Sequence, residues 1–372
     1  MSVNVTANHW VLKTESNPGM PFNFNMGTPE ATFEMVSKKL SSDDLKEGDV
    51  LLQTIYLAND PAQKFWIISS DKNYAKGVPV GEVIPSRGLA RVIASRNDAI
   101  KVGSIARCYT GWTTHFIVTK DNVAQLEILP ALGDGNGGVE HLWWYLSVLG
   151  STALTAYFIM YRYLELDDTE ASQGKVFLIS GAAGAVGSTC VQLALNVFKA
   201  KKVIAIAGGP EKIKYVESFG DAVVGVDYKD PNFKENLMKA AGGANVADYF
   251  IDNVGGDILD LGVVLLKVHG TIAVCGSISA YNDPSKFAFK NYITVLTKRL
   301  TIRGLLVTDN REKFVEASKK LLQWIKEGKY SPDNSATIKD ARGDKFSEVP
   351  LIWNGLFSGI NKGKLITQVS EE

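Results

Sequence analysis

Short apolar runs alternate with segments of helical periodicity over the middle of the chain, from Gly174 to about Arg303. The run Lys175–Ser180 (KVFLIS) is typical of a strand buried in a parallel sheet, and a glycine ends it. Segment Ala185–Phe198 then spaces its apolar residues on one helical face, at Val186, Cys190, Leu193 and Val197. The alternation continues with strands at Val203–Ala207, Val223–Val226, Tyr249–Ile251, Thr271–Cys275 and Leu300–Leu306, and with helices at Glu211–Phe219, Phe233–Ala240, Ile258–Lys267 and near Asn291–Thr297. This order predicts an α/β domain whose parallel sheet is covered by helices on both faces.

The chain before about residue 146 follows a different pattern, in which glycine, proline and polar turns separate short strands. Strands are expected at Asp49–Leu57, Leu89–Ile93 and Thr114–Val118, which indicates a mostly β, barrel-like domain. The segment Gly133–Gly138 (GDGNGG) is expected to form a loop. The apolar segment Trp143–Phe158 is expected to form a helix that crosses from one domain to the other.

The end of the chain returns to polar, turn-rich sequence. A helix is expected at Phe314–Glu327, turns over Ser331–Lys345, a helical piece around Val349–Phe357 and a last strand at Leu365–Val369. We therefore expect a doubly wound α/β domain inserted in a mostly β domain that both chain ends form. The expected boundaries are residues 1–146 for the β domain, 147–329 for the α/β domain and 330–372 for the return to the β domain.

A glycine-containing loop, Gly181–Ser188 (GAAGAVGS), joins the first strand of the α/β region to its first helix. It fits a dinucleotide-binding fingerprint in which Ala182 stands at the usual first glycine, and Gly184 and Gly187 at the other two. Gly184 would let a pyrophosphate approach the backbone, and Gly187 would let the helix pack closely on the sheet. The helix start near Ala185 would direct N–H groups at the anion. The loop is therefore predicted to bind a dinucleotide, a purely structural turn being the alternative.

The end of the second strand indicates which dinucleotide is bound. NAD sites usually place an acidic residue there, on the ribose hydroxyls, but Ala205–Pro210 (AIAGGP) contains none. Glu211 is expected in the first turn of a helix, where the dipole favours its charge. Lys212 could reach a 2′-phosphate, and a solvated surface lysine is the alternative. The pattern favours NADP over NAD.

The amino-acid composition indicates which binding partners and which cellular compartment to expect. The 40 basic and 40 acidic residues give a net charge of zero, so nucleic acid is not an expected partner. The three cysteines, Cys108, Cys190 and Cys275, are too few and too scattered for a disulfide framework and fit a reducing compartment. The first residues do not show the basic start and apolar run of a secretory signal, so none is expected, and runs such as Leu142–Leu149 are far too short to span a membrane. A cytoplasmic protein that does not enter a membrane is expected.

A catalytic zinc needs converging Cys, His or carboxylate ligands and one open position. The four histidines, His9, His115, His141 and His269, show no HxxxH or HxH spacing, and the chain has no CxxC pair. Cys108 and His115 are close in sequence, but a cysteine beside a strand is more often a small core residue. We therefore expect no metal, and polarisation of the substrate by hydrogen-bond donors instead.

Motifs spread over nearly the whole chain carry a resemblance to a known family. They are YLANDP (Tyr56–Pro61), GWTTH (Gly111–His115), LGSTALTAYF (Leu149–Phe158), GAAGAVGS, AGGPEK (Ala207–Lys212), YFIDNVGG (Tyr249–Gly256), CGSISAYN (Cys275–Asn282) and NKGK (Asn361–Lys364). In this order they resemble the zinc-independent medium-chain dehydrogenase/reductases, in the group of leukotriene 12-hydroxydehydrogenase/prostaglandin reductases and 2-alkenal reductases. The resemblance implies a GroES-like β domain with an inserted Rossmann domain, NADPH-dependent reduction of an activated C=C bond, and a homodimer. The expected partner is a small apolar substrate that contains a carbonyl group.

The same motifs show which residues of this sequence stand at the family's site positions. The resemblance implies a cofactor loop at Ala182, Gly184, Ala185 and Val186, a 2′-phosphate site at Lys212 with Tyr228 beside it, and a nicotinamide site at Asn253, Cys275, Gly276, Ser277 and Asn361. Gly187 of the fingerprint and Gly208 are also expected to bind the cofactor. Tyr281 matches a substrate-side tyrosine of the family. Three segments depart from the family: Ala62-Gln63-Lys64 stands where Tyr-Met-Arg is usual, Ser151–Leu154 replaces a glycine-proline-rich segment, and Gly133–Gly138 resembles an insertion. The substrate preference is therefore expected to differ from that of the eicosanoid enzymes.

Reduction of an α,β-unsaturated carbonyl leaves negative charge on the carbonyl oxygen, which without a metal needs hydrogen-bond donors. Tyr281, just past the carboxyl end of a strand, is the first candidate donor, and a half-buried loop aromatic is the alternative. Tyr56 of the β domain is the second candidate, with a plain strand residue as its alternative. Two other functions stay open, NADPH-dependent reduction of aldehyde or ketone carbonyls and non-catalytic binding of NADPH.

Overall fold

The computed structural model describes residues 2–16, 21–68, 75–130, 132 and 139–372. The chain divides into two compact units, the first made of Met1–Leu146, Thr337–Ile360 and Leu365–Glu372, and the second of Ser147–Ala336 and Asn361–Lys364. The sequence-based division differs from these units in two places: the chain returns to the first unit at Thr337 and not at residue 330, and Asn361–Lys364 belong to the second unit. The expected loop Gly133–Gly138 lies outside the described residues.

Strands dominate the described part of the first unit, whereas strands and helices alternate along the second. The strands are β1 (Asn4–Leu12), β2 (Phe33–Ser41), β3 (Val50–Asn59), β4 (Arg87–Ser95), β5 (Ile105–Tyr109), β6 (His115–Val118), β7 (Glu127–Ile128), β8 (Val176–Ile179), β9 (Lys202–Ala207), β10 (Val223–Asp227), β11 (Ala247–Asp252), β12 (Leu266–Val274), β13 (Thr301–Gly304), β14 (Ala336–Asp340) and β15 (Lys364–Gln368). The α-helices are α1 (Gln63–Ile67), α2 (Ser151–Phe158), α3 (Ala185–Asn196), α4 (Pro210–Glu217), α5 (Phe233–Ala241), α6 (Gly256–Leu265), α7 (Ile293–Lys298), α8 (Phe314–Lys326) and α9 (Val349–Ser358).

The second unit is built on a six-stranded parallel sheet with the order β10-β9-β8-β11-β12-β13. This is the strand order of a Rossmann dinucleotide-binding domain. All of β8 is buried, as expected for a central strand of a parallel sheet with both faces covered. The strand order reverses between β8 and β11, and ligands of such sheets bind at the carboxyl ends of the strands on either side of that point. The predicted α/β class and parallel sheet are confirmed.

The first unit is a mostly antiparallel β structure. The last strand of the chain, β15, pairs with β3, which also pairs with β4 and β6, while β1 and β2 form a separate pair. Aromatic rings fill part of its core, where the ring centroid of Trp112 lies 5.5 Å from Phe33 and 5.7 Å from Trp353. The indole N–H of Trp353 donates to the carbonyl oxygen of Asp60 at 3.0 Å. These contacts hold α9, near the end of the chain, against elements formed before residue 113.

Several elements differ from the sequence-based predictions. The helix expected over Trp143–Phe158 forms only as α2, because Gly150 is extended (φ −89°, ψ −178°) and the preceding residues make a 3₁₀ turn. The helix expected over Ile258–Lys267 ends at Leu265, and β12 follows without a loop. Strand β14 lies in the segment expected to contain only turns, and β2 is largely exposed, so neither strand shows the apolar alternation that predicts one.

One edge of the parallel sheet carries exposed apolar side chains. Strand β13 ends the sheet, and the neighbouring α7 region exposes Tyr292 (68%), Ile293 (62%) and Leu296 (71%). Exposed apolar side chains beside the edge of a sheet are typical of surfaces that bind another chain. The homodimer implied by the family resemblance stays a prediction.

Candidate functional site

The phosphate loop of the second unit lies between β8 and α3. Gly184 is the residue that precedes α3; its backbone is extended (φ −81°, ψ 174°), and no side chain of the described residues caps the helix there. The first turn of α3, which contains Ala185 and Val186, also carries no acidic residue. The backbone N–H groups at the start of α3 therefore suit an anion, since they lack partners within the helix and lie at the positive end of its dipole.

Two buried positions of this loop require small residues. A Cβ atom on Gly187 would lie 2.3 Å from the carbonyl oxygen of Gly181 and 2.7 Å from the Cα of Ala182, so no larger residue fits without moving the loop. Ala182 is fully buried, and its N–H donates to the carbonyl oxygen of Ile206 at 2.9 Å, which ties the loop to β9. Ala182 therefore packs the loop against the sheet. Gly184, in contrast, is half-buried and lies nearer the surface of the loop.

The end of β9 carries no carboxylate, as the sequence indicates. Ala207 is buried, and the ring of Tyr228 covers Gly208 so closely that a Cβ there would lie 2.6 Å from Cε1 of the ring. The nearest acid in sequence to Tyr228 is Asp227, at the end of the adjacent β10, and its Oδ1 accepts the N–H of Gly209 at 2.8 Å and that of Lys229 at 2.9 Å. Asp227 therefore organises the turn through backbone contacts.

Lys212 lies half-buried in the first turns of α4. Burial, and then the positive charge of Lys229, lower the pKa of Lys212 from its usual value. Within the described chain, neither ammonium group has a carboxylate partner. Two neighbouring cations without counter-charge suit a phosphate group. The sequence analysis missed Lys229, although a second lysine directly after Tyr228 was a visible signal.

The ends of β8 and β11 are joined by a buried carboxylate, Asp252, which the sequence analysis also missed. The Ser180 hydroxyl donates to Asp252 Oδ1 at 2.7 Å, and the N–H groups of Val254 and Gly255 donate to the same oxygen at 3.1 Å. Burial raises the pKa of Asp252, while the bonds from Ser180 and the backbone oppose that rise. The Asn253 side chain donates to the Ser180 carbonyl at 2.7 Å. The sequence does contain a signal for this turn, because an acidic residue ends the apolar run YFID.

The segment after β12 brings four of the predicted residues together. The N–H of Cys275 donates to the carbonyl oxygen of Asp252 at 2.8 Å, and that of Ser277 donates to the hydroxyl oxygen of Tyr281 at 3.4 Å. A Cβ on Gly276 would lie 3.3 Å from the same hydroxyl oxygen. Burial raises the pKa of the Cys275 thiol to about 12, which favours the protonated thiol near neutral pH. The hydroxyl group of Tyr281 therefore lies at the carboxyl edge of the sheet.

The segment Asn361–Lys364 lies against the phosphate loop. The N–H of Gly363 donates to the carbonyl oxygen of Ala183 at 2.8 Å. Gly363 has a positive φ of 63°, and a Cβ there would lie 2.2 Å from the carbonyl oxygen of Ser335. Asn361 is buried, and its amide donates to the Gly363 carbonyl at 2.6 Å. A tight glycine turn therefore holds Asn361 beside the loop expected to bind the cofactor.

Tyr56 belongs to the first unit, whereas all the residues predicted to bind the cofactor belong to the second. Its side chain is buried, and its hydroxyl donates to Glu372 Oε1 at 2.7 Å. Burial, and then this bond to Glu372, raise the pKa of Tyr56. The Tyr56 hydroxyl therefore already donates its hydrogen bond to the carboxylate of Glu372.

Comparison with known proteins agrees with this geometry. Residues 23–126 match a model described as the N-terminal domain of oxidoreductase, and residues 185–327 match one described as zinc-binding dehydrogenase. Bovine prostaglandin reductase 1 is 31% identical, over 98% of this chain and 99% of its own. The NADPH-dependent curcumin reductase of Escherichia coli is 29% identical, over 89% and 92%. The chain belongs to the zinc-independent medium-chain dehydrogenase/reductases.

Solved structures extend this assignment. The crystal structure of CurA from Vibrio vulnificus in complex with NADPH superposes with a TM-score of 0.80 at 27% identity, covering 98% of this chain and all of the other. The sequence-based predictions of the family, the fold class and an NADP cofactor are thereby confirmed.

This medium-chain dehydrogenase/reductase is also 61% identical, over 99% of its length, to an uncharacterized membrane protein of Saccharomyces cerevisiae. In the described ranges of the chain, no helix is both long enough and apolar enough to span a bilayer.

We expect NADPH oxidation by this reductase to survive exhaustive treatment with EDTA, and the purified protein to contain no stoichiometric zinc by elemental analysis. Among the described residues, His, Cys, Asp and Glu side chains do not assemble into any group of three that could hold a metal. A zinc-dependent alcohol dehydrogenase treated in parallel serves as the control and should lose activity. Loss of turnover that added zinc restores would contradict the expectation.

Lys64, at the family's arginine position, keeps the positive charge but is buried. It is 2% exposed, and its ammonium nitrogen lies 5.3 Å from the ring centroid of Phe22 and 5.9 Å from that of Phe357. Burial lowers the pKa of Lys64 to about 8. At this position the protein therefore has a buried lysine where the family usually has arginine.

The buried Lys64 predicts a pH-dependent stability. Because its pKa is lower in the folded state (about 8) than in the unfolded state (10.5), the unfolded chain binds more protons between these pH values, and stability rises with pH through this window. From pH 7 to pH 10, we expect the wild type to gain roughly 1–3 kcal/mol relative to Lys64→Met, which lacks the titrating group. Denaturant unfolding at both pH values measures this difference, with Lys101→Met, at an exposed lysine, as the control. A constant difference between the two proteins would contradict it.

Proposed function

We propose that this protein is a zinc-independent, NADPH-dependent reductase that transfers hydride to the C=C bond of α,β-unsaturated aldehydes or ketones. The observation that carries the proposal is the position of the Tyr281 hydroxyl against Gly276 and Ser277, beyond the carboxyl end of β12. Ligands of open parallel sheets bind at this edge. The relatives named prostaglandin reductase 1 and NADPH-dependent curcumin reductase support a reductase that uses NADPH.

Residues of the second unit fit the successive parts of NADPH. The uncapped start of α3 suits the pyrophosphate. Lys212, with Lys229 beside it, suits the 2′-phosphate, and the Tyr228 ring borders the same turn. Asn253 and Cys275–Ser277 lie at the strand ends where the nicotinamide half is expected. When bound, NADPH supplies the hydride.

The protein's part in the chemistry is to stabilise charge on the substrate. Addition of hydride at the β-carbon leaves negative charge on the carbonyl oxygen, and a proton from solvent completes the reduction at the α-carbon. A hydrogen bond from the Tyr281 hydroxyl to that oxygen would stabilise the enolate as it forms. Tyr56 is the weaker candidate, because its hydroxyl would first have to leave Glu372.

A matched pair of substrates tests this function. Benzalacetone carries a conjugated C=C bond and a ketone, whereas benzylacetone carries the same ketone without the C=C bond. We expect loss of nicotinamide absorbance with NADPH and benzalacetone, and none with benzylacetone, with benzylacetone as the product of the first reaction. Turnover of both ketones to alcohols would identify a carbonyl reductase. Tight binding of NADPH without turnover of a panel of enones and enals would identify a non-catalytic NADPH-binding protein.

A further inference from the structure

The first unit contains a polar groove of about 630 Å³ that shares no residue with the proposed cofactor and catalytic sites. Strands β1, β2, β3, β4 and β6 contribute to it, together with the segments 342–347 and 369–371. Its apolar lining comes from Met35, Phe346 and Val369. Apolar walls combined with a few convergent polar groups are characteristic of sites that bind small organic molecules.

The floor of the groove is a row of three polar residues on adjacent strands. Gln53 on β3 pairs directly with Arg91 on β4 and with His115 on β6. Directly opposed residues of antiparallel strands have neighbouring side chains on the same face of the sheet. All three residues line the groove, and all are half-buried. The register of three strands thus sets a guanidinium, a carboxamide and an imidazole side by side.

These three groups keep hydrogen-bonding capacity that the described protein does not use. Among the described residues, the guanidinium of Arg91 makes a single hydrogen bond, a long one of 3.5 Å from Nη1 to the carbonyl oxygen of Glu371. Within the described ranges, the Gln53 amide has no hydrogen-bond partner, and His115 uses only Nδ1, which lies 3.2 Å from Thr114 Oγ1. Half-buried donors in a concave surface are the groups that ligands normally satisfy.

Charge distinguishes Arg91 on the floor from Arg342, the other arginine that lines the groove. Arg342 is neutralised, because it forms ion pairs with Asp340 and Glu371. The lining also contains the carboxylate of Asp344, which has no ion-pair partner among the described residues. Arg91 has no carboxylate partner in the described part of the chain, so its charge is the uncompensated cation of the floor. A planar guanidinium beside an amide and an imidazole matches the oxygens of a carboxylate or a phosphate.

We propose that this groove binds a small organic anion, with its carboxylate or phosphate oxygens on Arg91, Gln53 and His115 and its apolar body against Phe346 and Val369. The groove belongs to the first unit, whereas all the residues predicted to bind NADPH belong to the second.

Three probes that share one ring test the proposal on the protein saturated with NADP⁺, which blocks the phosphate sites of the second unit. Benzoate and phenyl phosphate carry the two anionic groups, and benzamide is neutral. By calorimetry we expect one or both anions to bind and benzamide to bind at least about ten-fold more weakly. Tighter binding of benzoate identifies a carboxylate as the ligand group, and tighter binding of phenyl phosphate identifies a phosphate ester. Equal binding of benzamide, or no binding of either anion at millimolar concentration, would overturn the proposal.

A matched pair of variants locates the binding. Arg91→Gln removes the charge of the floor and should weaken the bound anion about ten-fold or more, whereas Arg96→Gln, an exposed arginine of the same unit outside the groove, should not. The NADPH dissociation constant and the melting temperature of both variants report that the fold is intact. If Arg91→Gln failed to fold, Gln53→Leu would replace it, since it removes a neighbouring donor without touching the charge. Anion binding that neither substitution changes would place the ligand elsewhere and refute the assignment.

Discussion

Replacing Lys212 with alanine is expected to weaken the binding of NADPH about 10- to 30-fold, because the variant loses a charge-assisted contact with the 2′-phosphate. Binding of NADH should change by less than about two-fold, since NADH has no phosphate at that position. The neighbouring Lys229 keeps part of the positive charge, which sets the upper limit of the effect. Fluorescence titration of both cofactors measures the two dissociation constants.

Lys214, an exposed lysine on the same helix, supplies the control for this prediction. Lys214→Ala removes the same charge from α4 but should leave both cofactors unaffected, whereas Lys229→Ala should weaken NADPH by less than Lys212→Ala does. If Lys212→Ala weakened NADPH and NADH equally, the lysine would have a structural role and the cofactor preference would have another origin.

Replacing Tyr281 with phenylalanine is expected to lower kcat about 10-fold with little change in NADPH affinity. Loss of one donor to a developing oxyanion costs up to about 10²–10³ in rate, but a ribose hydroxyl of bound NADPH would supply a second donor, and water can enter the gap. The Tyr281 hydroxyl also accepts the N–H of Ser277, so cofactor affinity must be measured beside the rate to detect any movement of the loop.

Tyr56→Phe is the matched comparison for Tyr281→Phe. It should have the smaller effect on kcat, because the Tyr56 hydroxyl already donates to Glu372. In the double variant, effects that do not add would indicate that both hydroxyls act on one oxygen. An unchanged kcat in Tyr281→Phe, with NADPH affinity retained, would leave Tyr281 as a packing residue.

The parallel sheet and its ligand-binding edge were predictable from the sequence for a physical reason. Strands buried on both faces appear as apolar runs, and the loops that bind phosphate need small residues at fixed spacing, as Gly184 and Gly187 show. The absence of an acid after Ala207 was equally visible, because cofactor choice depends on residues next to a strand end. These features are local, so one stretch of sequence contains all the information.

Features that depend on distant residues could not be predicted in the same way. Tyr56 and Glu372 are 316 positions apart, and nothing near either residue indicates their hydrogen bond. The floor of the polar groove depends on the register of β3 with β4 and β6, which only the folded sheet sets. Strand β14 has no fully buried residue and therefore no buried face, so it shows no apolar periodicity to detect.

The destination of the transferred hydride tests the central claim most directly. The protein is incubated with benzalacetone and NADPH that carries deuterium at both C4 positions of the nicotinamide, and the product is analysed by NMR. The account predicts a saturated ketone with one deuterium on the β-carbon and a proton from solvent on the α-carbon. Deuterium on the carbinol carbon of an allylic alcohol, or no transfer of deuterium, would contradict it.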